Sequence, residues 1–316
     1  MSAPADAEAL LRAAKRPLVI GIGGGGDVVG ALATAELMRI YDGCAPIVGG
    51  LTWERRPIDP VPGPRAADEI ADADELAPGI LLAGARTRVR RRDVFFAESR
   101  MAEYLGQRTV LIDPGGGPRA VAGGLARASE RLGCDLLLFV DVGGDVLAEG
   151  HEAGLRSPLC DALMLAAAAR LTRDGHKALT AIFGAGCDAE LTPDEVLARL
   201  AVVAAAGGLC GARGLTAPVA DRLEAAIEFV PTEASAQAVR AFRGASGLAA
   251  IRGGVRSVEL TTMAAVTIYL DVEISFTHAA PLARAVAEAR SLEAANDALR
   301  RLGVRTELDL EREPPA

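Results

Sequence analysis

The chain has 316 residues, of which 50% are hydrophobic, and a formal net charge of -8. This length is sufficient for one large domain with a sizeable core. The negative charge argues against a nucleic-acid or anionic-membrane partner, because those partners are bound by clustered Lys and Arg side chains. We therefore expect the partners to be small molecules.

The N-terminal segment and the cysteines both favour a cytoplasmic protein. The first 16 residues contain two carboxylates and no apolar block of the length of a signal peptide, so no export signal is predicted. The five cysteines are dispersed and include no CxxC pair. This pattern is typical of reduced thiols rather than of disulfides or structural zinc.

Short apolar runs that end at glycine or aspartate alternate with helical patterns. Continuous apolar runs predict strands that are covered on both faces, as in a parallel sheet. A helix is predicted over 28–40, a second begins after Ser157, and a third follows the capping box at Thr192. The order predicts an α/β fold with a doubly wound, mostly parallel, Rossmann-like sheet. The strand runs are PLVIGIG, PIVGG, GILLAG, TVLIDPGGG, DLLLFVDVGGD and LTAIFGAGCD.

Two regions depart from this alternation. Residues 52–65 contain four prolines and the only tryptophan, which indicates an extended loop, and an acidic segment follows it. From about residue 245 the pattern indicates extended strands, followed by two helices with Ser291 capping the second. We predict a single α/β domain over 1–316, in which residues 245–316 either add strands to the main sheet or form a small C-terminal extension.

Four consecutive glycines, Gly23, Gly24, Gly25 and Gly26, follow the first predicted strand. Bare backbone lets a ligand approach main-chain N–H groups, and the helix that follows would direct its positive end at an anion. We therefore predict a phosphate or anion cradle, although the glycines are also explained by a tight turn with Asp27 as helix cap. The spacing of Gly21, Gly23 and Gly26 matches GxGxxG, but the second strand lacks the acidic residue of a dinucleotide site at its end.

Carboxylates follow several of the predicted strands. Because the loops after parallel strands open on one edge of the sheet, these side chains are expected to face one crevice. Asp27, Asp141 and Asp145 are predicted metal ligands, and oxygen ligands without a His or Cys set favour Mg²⁺ or Mn²⁺. Asp141, Asp145, Asp188 and Glu190 are the predicted acid/base residues. Helix caps, ion pairs and solvated loop acids are the alternative roles.

Arginines are expected to compensate the negative charge of these acids. Arg55 and Arg65 in the proline loop, and Arg119 after Gly116 in DPGGGP, are predicted to bind phosphate or carboxylate oxygens. Solvation at the surface is the alternative for each of them. His151 follows the Asp141–Asp145 turn, but no Ser/His/Asp or Cys/His pattern recruits it.

Long ordered blocks carry a resemblance to a known family. They are GIGGGGDVVGALA, GGLTWERRPIDPVPGPR, DVGGDVLAEGHEAGLRSPLCDA, GAGCDAEL and SLEAANDALRRLGVRTELDLE. Over nearly the whole chain the sequence resembles the prokaryotic domain-of-unknown-function family numbered 1152. The resemblance implies an α/β fold and one family-length domain, and it implies no reaction.

The leading hypothesis is a cytoplasmic enzyme that acts on a small anionic, phosphorylated metabolite with Mg²⁺ or Mn²⁺ at the carboxylates. Hydrolysis, elimination and group transfer all remain open. A non-catalytic nucleotide-binding or regulatory module is the first alternative, and a dinucleotide-dependent oxidoreductase is the second. The oligomeric state is also open, a homo-oligomer included.

Overall fold

The computed structural model describes residues 6–56 and 58–314, so Pro57 of the proline loop and the first five residues of the N-terminal segment lie outside it. The strands are β1 (Pro17–Gly21), β2 (Ile47–Leu51), β3 (Ile70–Ala77), β4 (Ile80–Val89), β5 (Thr109–Ile112), β6 (Leu136–Val142), β7 (Ala178–Phe183), β8 (Leu209–Gly214), β9 (Gly247–Ile251), β10 (Arg256–Leu260) and β11 (Val266–Leu270). The helices are α1 (Ala7–Ala13), α2 (Asp27–Leu37), α3 (Ala97–Leu105), α4 (Gly117–Leu132), α5 (Pro158–Arg173), α6 (Pro193–Ala205), α7 (Ala217–Phe229), α8 (Glu233–Phe242), α9 (Val272–Ile274), α10 (Pro281–Val286), α11 (Leu292–Arg301) and α12 (Glu307–Arg312).

Within the described ranges, nine strands form one sheet in the order β3-β4-β5-β2-β1-β6-β7-β11-β8. The central strands β5, β2, β1, β6 and β7 are parallel. Taken in chain order, these five strands have the Rossmann arrangement 3-2-1-4-5, in which the direction of winding reverses between β1 and β6. The predicted doubly wound, mostly parallel α/β fold is confirmed.

The edges of the sheet differ from the expectation. The GILLAG run lies in β4, which pairs antiparallel with β5 rather than parallel. The acidic segment after the proline loop, for which no element was predicted, forms strand β3, which pairs antiparallel with β4. Its exposed carboxylates fit an edge strand, where one side faces solvent and charge discourages pairing with another chain.

Burial on both faces explains why the central strands show no alternation. Every residue of β1 and β6 is buried. Leu18 and Ile20 belong to a core under α4, α5, α10 and α11, whereas Val19 belongs to a second core under α1, α2, α3, α7 and α8. Two helical layers therefore enclose the sheet and fix the strand ends that carry the site.

The C-terminal region contributes to more than one part of the molecule. Strand β11 enters the main sheet between β7 and β8, while β9 and β10 form a separate antiparallel hairpin. Helix α10 packs on α5, and Ser291 caps α11 as predicted. In the part of the chain that the structure covers, no helix combines the length and the apolarity that a bilayer crossing requires.

Candidate functional site

A cavity of about 950 Å³ opens at the carboxyl ends of the central strands. It lies at the reversal point between β1 and β6, where ligands bind in open α/β sheets. The loops after β1, β2, β6 and β7 line it, together with the segment before α8, the tip of the β9–β10 hairpin and helix α12. Its volume falls in the range of sites for small metabolites.

The glycine loop forms one wall of this cavity. Gly24 and Gly25 have φ values of +82° and +53°, a left-handed conformation that side chains disfavour. A Cβ at Gly23 would lie 2.6 Å from Asp27 Oδ2, and one at Gly26 would lie 2.4 Å from the Thr232 Cβ. The predicted loop is thus present, and close packing explains why it is glycine. Gly26 is the N-cap of α2, so Asp27 is its first residue rather than its cap.

Asp27, Asp141 and Asp161 form the first group of carboxylates. One oxygen from each lies within 4.8 Å of the others. Asp27 Oδ2 accepts a hydrogen bond from the Gly23 N–H, but Oδ1 of Asp141 and Oδ1 of Asp161 are buried and have no donor among the described residues. Burial raises the pKa of all three. The charge of Asp141 adds to this for Asp27 and Asp161, and the charge of Glu190 adds to it for Asp141.

Asp145, Asp188 and Glu190 form the second group, again with one oxygen from each within 4.8 Å of the others. Burial, followed by the charge of Asp161, holds the pKa of Asp145 well above its usual range. Burial, followed by the charge of Glu190, does the same for Asp188. The charge of Asp141 also raises the pKa of Asp145. Charges in each of the two groups therefore raise pKa values in the other.

Glu190 differs from the other acids of the two groups in that both of its carboxylate oxygens accept hydrogen bonds. Its Oε2 accepts from the N–H groups of Arg156 at 2.7 Å and Ser157 at 2.8 Å, and its Oε1 accepts from the Ser157 hydroxyl. Ser157 is the N-cap residue of α5, but its hydroxyl is used in this contact rather than on its own helix. Glu190 thus satisfies backbone donors at the start of α5.

Glu307, on α12, accepts hydrogen bonds from further N–H groups at the start of α5. Its carboxylate accepts from the N–H groups of Leu159 and Cys160, both at 3.0 Å. It also lies 3.4 Å from Arg55 Nη2. The free N–H groups at the start of α5 are consequently occupied by side chains, whereas the start of α2 faces the cavity.

Glu54 lines the cavity from the loop after β2. It is 3% exposed, and its Oε1 accepts a hydrogen bond from the Ala97 N–H at 2.5 Å. Burial raises the pKa of Glu54 to about 7. Behind it lies the fully buried Glu98, whose pKa is raised by burial and by the charge of Glu54. Glu54 can hold or release a proton near neutral pH.

The residues of the predicted anion site do not all lie at the cavity. Arg55 lines the cavity, donates to the Gly23 carbonyl at 2.6 Å and stacks on Trp53. Arg65 does not reach the cavity, because it is buried against Asp59 at 2.6 Å and shapes the proline loop.

The remaining predicted residues lie elsewhere. Gly116 and Arg119, at the start of α4, are exposed and outside the cavity lining. Strand β5 is two positions from β1 in the sheet, and Gly117 packs against the Ala289 carbonyl instead of a ligand crevice. His151 is exposed and also outside the lining.

Several lining residues were not among the predicted site residues. Asp161 carries the clearest signal, because it is an acidic residue in the first turn of α5, which begins at Pro158. The others come from segments that no local motif connects with the glycine loop. They are Glu54, Arg156, Phe229, Thr232, Arg252, Glu307 and Glu311.

Comparison with known proteins identifies a family but no function. The family model described as "Protein of unknown function (DUF1152)" matches residues 18–314. Searches of curated proteins and of solved structures found no match. The match covers nearly the whole chain and confirms the resemblance seen in its motifs. The chain therefore belongs to the DUF1152 family of proteins of unknown function.

Proposed function

We propose that this protein is a divalent-metal-dependent enzyme acting on a small phosphorylated metabolite. The observation that carries the proposal is the group of Asp27, Asp141 and Asp161, which brings three carboxylate oxygens within 4.8 Å. Two of these side chains each keep a buried oxygen without a hydrogen-bond donor among the described residues.

Such an arrangement is costly without a cation. Buried carboxylates that face one another must either hold protons or have positive charge nearby. Arg55 is the arginine whose charge bears on Asp27, but it is also engaged with Gly23, Glu307 and Glu311. Mg²⁺ or Mn²⁺ would neutralise the cluster, since these ions take oxygen ligands.

The glycine loop and α2 supply the complementary half of the site. The first N–H groups of a helix attract anions, and glycine allows a phosphate to approach them closely. Asp27 directly follows the loop as the first residue of α2, so a phosphate held at the loop would lie beside the carboxylate cluster. A metal ion would then polarise the phosphorylated substrate.

Proton transfer can be assigned to groups that line the same cavity. Asp145 and Asp188 have strongly raised pKa values, and Glu54 has a pKa of about 7. A general acid or base works best when its pKa lies near the working pH. We assign this role to Glu54 first. The free state of all five cysteines supports a cytoplasmic enzyme.

The metal site is tested by thermal unfolding with EDTA, Mg²⁺ or Mn²⁺. An ion at 100 times its Kd should stabilise the wild-type protein by about 2.7 kcal/mol. The Asp141→Asn and Asp161→Asn variants should lose this increment, although each can be more stable than wild type in EDTA because repulsion is relieved. The matched control is Asp113→Asn, since Asp113 also follows a strand but bonds Ala67 and Gly115 outside the cavity.

The catalytic part needs a separate measurement. The protein with Mn²⁺ is incubated with a library of phosphorylated metabolites, and consumed compounds are identified by mass spectrometry. We expect turnover that falls about 100-fold or more in Glu54→Gln, which removes the assigned acid/base group. Metal-independent stability in wild type, or an unchanged metal increment in Asp141→Asn, would refute the metal site. Metal binding with no compound consumed would favour a binding module.

A further inference from the structure

Three arginines lie close together, and two of them line the cavity. Arg156 lies in the loop before α5, Arg252 lies at the tip of the β9–β10 hairpin, and both line the cavity. Arg256, on β10, donates through Nη2 to the carbonyls of Gly154 and Ala189. This contact ties together the hairpin, the loop before α5 and the loop after β7.

The charge of these arginines is poorly balanced. Arg256 Nη1 is buried and has no hydrogen-bond partner among the described residues. Burial and the neighbouring charges of Arg252 and Arg156 lower the pKa of Arg256. Glu190 and Asp188 are the nearby counter-charges of Arg256. Glu190 lies 3.8 Å from Arg252 Nη2, but its oxygens already accept three hydrogen bonds at the start of α5.

The backbone holds Arg252 in this position. Arg252 has a φ of +53°, which is uncommon for a residue with a side chain. Its N–H donates to the Glu233 carboxylate at 2.6 Å. The two glycines that follow it are also left-handed. The hairpin tip thus keeps a guanidinium at the cavity at some cost in backbone strain.

We propose that Arg156 and Arg252, which line the cavity with Arg256 beside them, form an oxyanion subsite for a second anionic group of the substrate. The inference rests on the proposed function, in which a first anionic group lies at the glycine loop and the metal. The substrate class is thereby narrowed to metabolites that carry two oxyanion groups, a phosphate at the metal and a phosphate or carboxylate at the arginines. An anion there would relieve the repulsion among the guanidinium groups and accept their free N–H donors.

Calorimetric titration in EDTA at low salt tests the subsite without the metal. Inorganic phosphate and malonate are the two probes, and the tighter binder identifies the second group as phosphate or carboxylate. Either should bind wild type, with a Kd at least 10-fold weaker in Arg252→Ala and an intermediate Kd in Arg252→Lys. Arg119→Ala is the matched control and should bind as wild type does, since Arg119 is exposed and outside the cavity lining.

Folding does not confound this comparison. The contact of Arg252 with Glu233 is made by the backbone N–H, so Arg252→Ala retains it, and circular dichroism verifies the fold. Equal Kd values for wild type and Arg252→Ala, or no binding of either anion by wild type, would overturn the subsite. The metal measurement is independent: anion binding in EDTA can persist where the metal increment is absent, in which case the proposed function fails and the subsite stands.

Discussion

Replacing Glu54 by Gln should stabilise the protein at alkaline pH and leave it unchanged at acid pH. The carboxyl group is buried and its pKa is about 7, compared with an ordinary value of 4.5. Burial is the main cause and Asp59 adds to it, while the Ala97 N–H and the charge of Arg55 oppose it. Glu98 lies behind it and is fully buried. Gln preserves the shape and the acceptor for Ala97 but cannot ionise.

The sign follows from proton binding in the two states. Above pH 4.5 the unfolded chain releases the Glu54 proton, whereas the folded protein keeps it until about pH 7. Unfolding therefore becomes easier as the pH rises through this window. The gap between the two pKa values corresponds to a full effect of about 3 kcal/mol above pH 7. Below pH 4.5 both states hold the proton and the effect vanishes.

Urea unfolding in EDTA, followed by circular dichroism between pH 4 and pH 8, measures this difference. The free energy of unfolding of Glu54→Gln minus that of wild type should rise from near zero to about 3 kcal/mol. Glu75→Gln is the control, because Glu75 is exposed on β3, and its difference should stay flat. A difference for Glu54→Gln that does not change with pH would refute the burial argument.

Gly143→Ala should cost about 3 kcal/mol and reduce the metal-induced increment, because Gly143 has a φ of +129° and a Cβ there would lie 2.2 Å from the Asp188 carboxyl carbon. Gly175→Ala, with a φ of +93° and nothing within 4 Å, should cost about 1 kcal/mol in urea unfolding and leave the increment unchanged; equal losses would contradict the clash. Glu307→Ala should cost about 3 kcal/mol in the same assay, because Arg55 loses a buried partner. A loss under 1 kcal/mol would show that this cap and ion pair matter little.

Much of the fold was predictable because the local pattern and the tertiary environment agree. The central strands are buried on both faces, so their sequences are mostly apolar, and a glycine or aspartate directly follows β5, β6 and β7. Once the strands are parallel, the convergence of Asp27, Asp141, Asp145 and Asp188 at one edge follows from topology. The edge strands were harder, because antiparallel pairing of β4 leaves no distinct mark on a short apolar run.

The cavity walls were less predictable, because many of their residues lie far apart in the sequence. Glu307 and Arg252 reach the site from the C-terminal third, where nothing in their own motifs refers to a ligand. The prediction that Arg119 belongs to the anion site was wrong, because in this case the local motif suggested a ligand site that the fold does not form. The DPGGGP loop resembles an anion loop locally, but β5 is separated from β1 by β2. Position in the sheet, rather than the motif, decides which glycine turns face the cavity.

The acids of the site differ in how many hydrogen bonds their carboxylate oxygens accept, and this difference indicates their roles. Glu190 and Glu307 both accept several backbone donors at the start of α5, so their charge is used to fix that helix. Asp161 directly follows Cys160 in the first turn of α5 and keeps an oxygen with no donor in the described chain. The saturated acids therefore position the unsaturated one. A change at Glu307 should weaken metal binding through Asp161, even though Glu307 itself need not bind the ion.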